Sequence, residues 1–273
     1  MFQYMLENVR KRQPLIHNIT NYVTAHECAN ILIACGASPI MADDKEEVAE
    51  ITGMCAGLNI NIGTPNSRTL KSMLIASKQS NKLQHPVVLD PVGVGVSKLR
   101  RKIAFTLLDE VKFSAIRGNI SEIKALIHGN TTINGVDANI TDKVTKENLD
   151  EAIEFAKSFS KATGAIIVIT GAVDIVANHS EAYCIHNGHP MMSSVTGTGC
   201  QLSAITTAFL SANPDNPLKA AAAAVATMGY AGEIAYSRLG NKDGNATYSN
   251  YIIDAVYNMT PDLLERGAKY EMR

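Results

Sequence analysis

The chain has 273 residues, is 46% hydrophobic by composition and carries a formal net charge of −1. That apolar content supports a sizeable core, and the balanced charge gives no reason to expect nucleic acid or an anionic membrane as a partner. Five cysteines, at positions 28, 35, 55, 184 and 200, form no Cys-x-x-Cys pair, which argues against a disulfide framework or structural zinc and fits a reducing cytosol.

Met1 to Pro14 is charged and lacks an apolar signal core. No apolar run is long enough to span a bilayer, so a cytoplasmic protein is expected. Residues 3–12 read as a short polar helix ended by Pro14. The stretch from Pro14 to Thr24 is rich in Asn, Thr and His, and Asn18, Thr20, Asn21 and Thr24 are ordinary turn and cap residues. Ala25 to Ala34 reads as a helix broken at Gly36, and Ala37 to Ala42 as a short extended piece. Asp43, Asp44, Glu46 and Glu47 then open another helix in the favourable dipole sense.

Leu58 to Thr64 alternates with a β period and stops at Gly-Thr-Pro, before a helix over about 66–80. Pro86-Val87-Val88-Leu89 is an apolar run suited to a buried parallel strand, ending in Asp90-Pro91-Val92-Gly93. A second such strand, Phe113 to Ile116, ends in Arg117-Gly118-Asn119-Ile120-Ser121-Glu122 and feeds a helix to about 127. Residues 128–145 read as a polar surface loop, and Glu147 to Ala162 as a helix. Ala165 to Ile169 is the clearest buried strand, stopped by Thr170-Gly171. Val173 to Ala177 and Ala182 to Ile185 pair as a hairpin, and His186-Asn187-Gly188-His189 reads as a loop.

Next comes Ser193-Ser194-Val195-Thr196-Gly197-Thr198-Gly199-Cys200, running directly into an apolar helix over about 201–212. Glycines bring bare backbone close to a ligand, and a helix start offers unpaired N–H groups to an anion. Cys200 falls in that first turn, where a lowered thiol pKa is expected. An Ala-rich helix over about 217–238 and a last helix near 248–259 complete the chain. Strands alternating with helices predict an α/β fold with a mostly parallel sheet covered on both faces. No composition break divides it, so residues 1–273 are expected to form one domain.

Ligands of open α/β sheets bind beyond the carboxyl ends of the strands. The polar residues stopping strands are Asp90, Arg117 with Asn119 and Glu122, and Thr170 with Gly171. Singly, each has a plain structural explanation as turn, cap or surface charge. Together at successive strand ends, two carboxylates can hold hydrated Mg²⁺ and Arg117 can neutralise a phosphate.

The order Asn119-x-x-Glu122, then Thr170-Gly171, then Gly197-Thr198-Gly199 opening a helix resembles the ribokinase-like small-molecule kinases. More narrowly, the chain resembles the hydroxyethylthiazole kinase family through His17-Asn18-Ile19-Thr20-Asn21-Tyr22-Val23-Thr24, Gly36-Ala37-Ser38-Pro39-Ile40-Met41, Asn61-Ile62-Gly63-Thr64, Val88 to Gly93, Ile116 to Glu122 and Thr196 to Cys200. The resemblance implies a ribokinase-like fold without a separate lid domain, and phosphorylation of 4-methyl-5-(2-hydroxyethyl)thiazole by ATP with Mg²⁺ in thiamine biosynthesis. It implies that Asn21, Val23, Met41 and Gly197 line the thiazole site, that Arg117 and Thr170 contact ATP, and that Asp90 and Glu122 serve the metal.

Gly197, Thr198, Gly199 and Cys200 would form the catalytic turn. A homotrimer with active sites between subunits is also implied. Many ribokinase-like kinases carry Asp where this chain has Cys200, whereas the thiazole kinases commonly carry Cys. A related kinase for hydroxymethylpyrimidine, a cysteine-nucleophile transferase and a non-catalytic binding protein stand as alternatives.

Overall fold

The computed structural model describes residues 1–127, 144 and 147–273. A helix, α1 (Gln3–Arg12), ends at Gln13 in the left-handed region and leads into β1 (Leu15–Ile19). The sequence predicts no strand here, because His17 and Asn18 break the apolar pattern. Both are nevertheless buried, and specific partners satisfy them: His17 bonds Thr52 and the Ala42 carbonyl, and Asn18 bonds Ile16 and Asn59.

The next elements are α2 (Ala25–Cys35), β2 (Ser38–Met41), α3 (Val48–Met54), β3 (Gly57–Asn61), α4 (Ser67–Lys82) and β4 (Val87–Asp90). Gly36 ends α2 at φ 97°, a conformation that suits glycine. The acidic run at 43–47 precedes α3 rather than opening it, since the helix starts only at Val48. Asn66 caps α4 through a complete capping box.

A helix for which the sequence reading made no assignment, α5 (Lys98–Glu110), starts at the Ser97 cap. Then come β5 (Ala115–Asn119), α6 (Ile120–Ile127), α7 (Leu149–Thr163), β6 (Ile166–Thr170), β7 (Asp174–Ala177) and β8 (Ala182–Ile185). The surface loop expected over 128–145 lies outside the described residues apart from Val144. A short 3-10 turn (Pro190–Ser194) leads into α8 (Thr198–Ala212), α9 (Pro217–Ser237), α10 (Asn245–Tyr257), α11 (Pro261–Gly267) and β9 (Tyr270–Met272). The last helix starts at Asn245 rather than near 248, and α11 and β9 were not foreseen.

Among the described residues, nine strands join one sheet in the order β2-β1-β3-β4-β5-β6-β7-β8-β9. The first six are mutually parallel, and β7, β8 and β9 extend the sheet antiparallel. One face packs against α1, α2, α8, α9 and α10, with Ile16, Val88, Ala115 and Val168 beneath them. The other carries Leu58, Ile60, Leu89, Ile116 and Ile167 under α4 to α7. This is the expected α/β architecture. Among the described residues no helix is long and apolar enough to cross a membrane.

α8 is the helix this arrangement is built around. It touches α1, α2 and α9 on one side and β1, β3 and β4 on the other. Its start lies above the carboxyl ends of the parallel strands, where Asn61 and Asp90 are register partners, as are Asn119 and Thr170.

Candidate active site

Gly197 is the N-cap of α8 at φ 88°, and a Cβ there would stand 2.5 Å from Thr24 Cγ2. Both the backbone conformation and the contact therefore require glycine. This contact joins the start of α8 to Thr24, the residue that precedes α2. A Cβ at Gly199 would overlap the Arg117 guanidinium. Bare backbone at 199 is what lets that cation lie against the first turn of the helix.

Arg117 is held from two sides. Its Nη1 donates to Asp90 Oδ2 at 3.3 Å and its Nη2 to Thr170 Oγ1 at 3.2 Å, while its buried Nε has no partner. Asp90 is fully buried and also accepts from Asn61 Nδ2 at 2.9 Å and Ser203 Oγ at 2.8 Å. Burial raises the Asp90 carboxyl from its ordinary pKa, and the adjacent Arg117 charge opposes that rise. Glu122 sits one strand over: Oε1 accepts from Gly93 N and Oε2 from Asn119 N, each at 2.9 Å. Glu122 thus ties the turn after β4 to the end of β5.

On the other flank, Asn21 Nδ2 donates to Asn61 Oδ1 at 3.0 Å and to Cys200 Sγ at 3.3 Å. Asn21 Oδ1 accepts from Thr24 N and Thr24 Oγ1, both at 3.1 Å. Asn21, Cys200, Asp90, Arg117, Thr170 and Gly199 therefore form one connected polar cluster beneath the α8 start. Val23 and Met41 stand apart from it on the open rim, 55% and 39% exposed. Beside Tyr22, a cleft of about 380 Å³ runs between Thr64-Pro65-Asn66 and Ser97 to Arg100.

The expectation of a lowered thiol pKa at Cys200 is corrected here. The side chain is buried, and desolvation followed by the nearby Asp90 charge raises its pKa, outweighing Thr24, Arg117 and Asn61, which favour the thiolate. At neutral pH this residue is a thiol. Position in a first helical turn does not by itself make a cysteine acidic when the sulfur is out of water and faces a carboxylate.

Three further residues belong to the cluster and were given no role from sequence: Asn61, Gly63 and Ser203. Asn61 is a polar position inside the β-periodic run from Leu58 to Thr64, and the structure ends β3 on it as it ends β4 on Asp90. Ser203 offered less, since only the fold brings its hydroxyl to a strand-end carboxylate. His186 and His189 lie in the loop expected for them: His189 accepts from Met191 N and stacks on Tyr236, and His186 approaches Glu271.

Comparison with known proteins fits this geometry. Residues 6–262 match the model of the hydroxyethylthiazole kinase family. A hydroxyethylthiazole kinase of Clostridium acetobutylicum is 62% identical over 271 residues, covering 99% of each chain. The structure of a hydroxyethylthiazole kinase from Pyrococcus horikoshii superposes with a TM-score of 0.88 at 33% identity, covering 100% of this chain and 98% of that one. A ribokinase-like superfamily protein from Enterococcus faecalis shares the fold at a TM-score of 0.62 and 14% identity, with 96% and 89% of the two chains covered.

Proposed function

The chain belongs to the hydroxyethylthiazole kinase family, and from that premise we propose how its site moves the γ-phosphoryl of ATP onto the primary alcohol of hydroxyethylthiazole, a step of thiamine biosynthesis and salvage. The observation that carries the proposal is the convergence at one helix start of bare glycine backbone, a buried arginine and the Asn21–Cys200 contact.

ATP lies against Arg117 and Thr170. The unpartnered Nε of Arg117 supports a phosphate oxygen as its missing acceptor. The thiazole alcohol enters between Asn21, Val23, Met41 and Gly197, with its hydroxyl beside Cys200. The N–H groups from Gly197 to Cys200 and the Arg117 cation stabilise charge on the group in transit. Phosphoryl transfer depends mainly on this kind of positioning and electrostatics. The alcohol oxygen gains the phosphoryl, the bond to the β-phosphate oxygen breaks, and ADP and a proton leave.

The raised pKa of Cys200 favours a thiol that orients the hydroxyl over a preformed thiolate base. It also disfavours the cysteine-nucleophile alternative. Among the described residues, the groups that act on the sulfur include Asn21, Thr24, Cys28, Asn61, Asp90 and Arg117, none of which is the histidine base that a cysteine nucleophile uses.

Magnesium is part of the proposal, with Asp90 and Glu122 as its carboxylates. Mg²⁺ typically takes one or two carboxylates and fills the rest of its shell with phosphate oxygens and water. The donors fit that pattern: the Glu122 oxygens each accept one recorded bond, and Asp90 Oδ1 receives only a 3.4 Å approach from Arg117. Among the described residues no cluster of three His, Cys, Asp or Glu offers an all-protein cage. When bound, the ion neutralises charge on the nucleotide phosphates.

A homotrimer with sites between subunits completes the reading. Tyr22 and Val23, beside the substrate pocket, are 82% and 55% exposed in the lone chain. A pocket for an apolar heterocycle needs walls on that side, and a second copy would supply them. The single sheet shared by both cores supports one domain over residues 1–273, and a cytoplasmic setting fits the five free cysteines.

A coupled ADP-release assay tests the proposal. Release is expected with hydroxyethylthiazole and Mg²⁺, and little with ribose or without Mg²⁺. Preference for hydroxymethylpyrimidine would move the assignment to that kinase, and a trapped acyl-enzyme would support the nucleophile alternative.

A further inference from the structure

We propose that Asn61 is a positioning residue for phosphoryl transfer, setting the Asn21 amide against Cys200 by linking it to Asp90. The proposal rests on the kinase reading above and adds to it a residue that touches neither substrate.

The direction of every bond in the link is fixed by groups that can act in only one way. Gly63 N, a backbone donor, gives its hydrogen to Asn61 Oδ1 at 2.8 Å, so the oxygen of that amide must face Gly63. Asn61 Nδ2 is thereby turned to Asp90 Oδ2 at 2.9 Å. With Asn61 Oδ1 serving as acceptor, Asn21 must present its Nδ2 to it. Thr24 N, a second backbone donor, independently turns Asn21 Oδ1 the other way. The sulfur of Cys200 consequently receives an N–H hydrogen from Asn21 and does not face the oxygen of that amide. Thr24 and Asn61 also stand against the sulfur, and its own S–H is what remains to meet the alcohol oxygen.

The packing says the same. Asn21, Asn61 and Asp90 are buried. A Cβ on Gly63 would stand 2.9 Å from both Asn21 Cβ and Asn61 Oδ1, so the two amides meet only because residue 63 has no side chain. Asp90 remains anchored to Ser203 and Arg117 when Asn61 is removed. Loss of Asn61 therefore acts on the alcohol side of the site and leaves the nucleotide side in place.

The test is a double-mutant cycle. Asn61→Ala, and Asn61→Ser as the milder variant, are each made in the parent chain and in Cys200→Ala, with kcat and both KM values measured. In the parent, kcat is expected to fall ~10- to 100-fold, the scale of a small misplacement at a reacting centre, with KM for ATP changed less than ~2-fold. In Cys200→Ala the same substitutions are expected to change kcat less than ~2-fold. Equal losses in both backgrounds, or a loss confined to the KM for ATP, overturn the proposal. A crystal structure of Asn61→Ser supplies a readout that needs no turnover: the Asn21 amide is expected to leave the sulfur, and an unmoved amide overturns the proposal. A parent chain inactive on the thiazole alcohol would refute the kinase reading, and the crystal arm would still decide the role of Asn61.

Discussion

Cys200 lies in the first turn of α8, where unpaired amides favour negative charge, yet it is buried and near Asp90. Burial is the larger effect and keeps the proton on sulfur. Two expectations follow for the kinase. Turnover should vary less than ~2-fold between about pH 6.5 and 8.5, whereas a thiolate base would give nearly tenfold per pH unit below its pKa. Cys200→Ala should lower kcat by ~10-fold or more, and Cys200→Asp should keep or raise it, because a carboxylate accepts a hydrogen bond better than sulfur does. A fully active Cys200→Ala would make the residue packing only.

Gly199 gives a separate test on the nucleotide side. A methyl group there would overlap Arg117, which cannot swing aside without losing Asp90 or Thr170. Gly199→Ala should raise the KM for ATP by ~10-fold, about the worth of one charge-assisted bond, with little change for the alcohol. At this scale the sequence was informative about residues that carry charge or lack a side chain: Asp90, Arg117, Gly197 and Gly199 were all legible. Asn21 and Cys200 were visible as residue types, but their contact joins positions far apart in the chain. The sign of the Cys200 shift depended on burial, which no local pattern reveals.

Among the elements, β1 shows why polar residues can hide a strand. His17 Nε2 donates to the Ala42 carbonyl, and Nδ1 meets Thr52 Oγ1, both at 2.9 Å. One ring thus ties β1 to α3 and to the residue after β2. Apolar strands such as β6 were readable because their burial follows from composition, whereas β1 depends on partners far away in sequence. α5 was missed for a different reason: its buried stripe of Ile103, Ala104 and Leu107 is short and set among charges.

Burial depresses the His17 pKa below its usual 6.5, so the folded protein holds a neutral ring that the unfolded chain protonates more readily. Stability should therefore be at its full value above about pH 6.5 and fall as the pH drops through that range, because the unfolded state then binds more protons. Urea unfolding at several pH values measures this, and His17→Gln should flatten the slope. An unchanged slope in the variant would assign the acid sensitivity to other groups.

For the whole molecule, the alternation of strands and helices was enough to expect a parallel sheet with two covered faces, and the hairpin of β7 and β8 was legible as well. β9 was not, since a three-residue strand takes its identity from the β8 edge it joins. The proposed trimer would cover side chains that a lone chain exposes. Tyr22 is 82% exposed, and Leu99, at the same cleft, is also exposed, so apolar side chains there are left to solvent in a lone chain. Light scattering should return a species three times the 29.3 kDa chain, and a monomer that retains full activity would contradict a site shared between subunits.

The measurement that bears most directly on the whole account is a crystal structure with a non-hydrolysable ATP analogue and the thiazole alcohol bound together. The terminal phosphate is predicted to lie within about 3 Å of the amide nitrogens in the first turn of α8, with Arg117 against it and the alcohol oxygen beside Cys200. A terminal phosphate more than about 10 Å from that turn, far outside hydrogen-bond range, would contradict it.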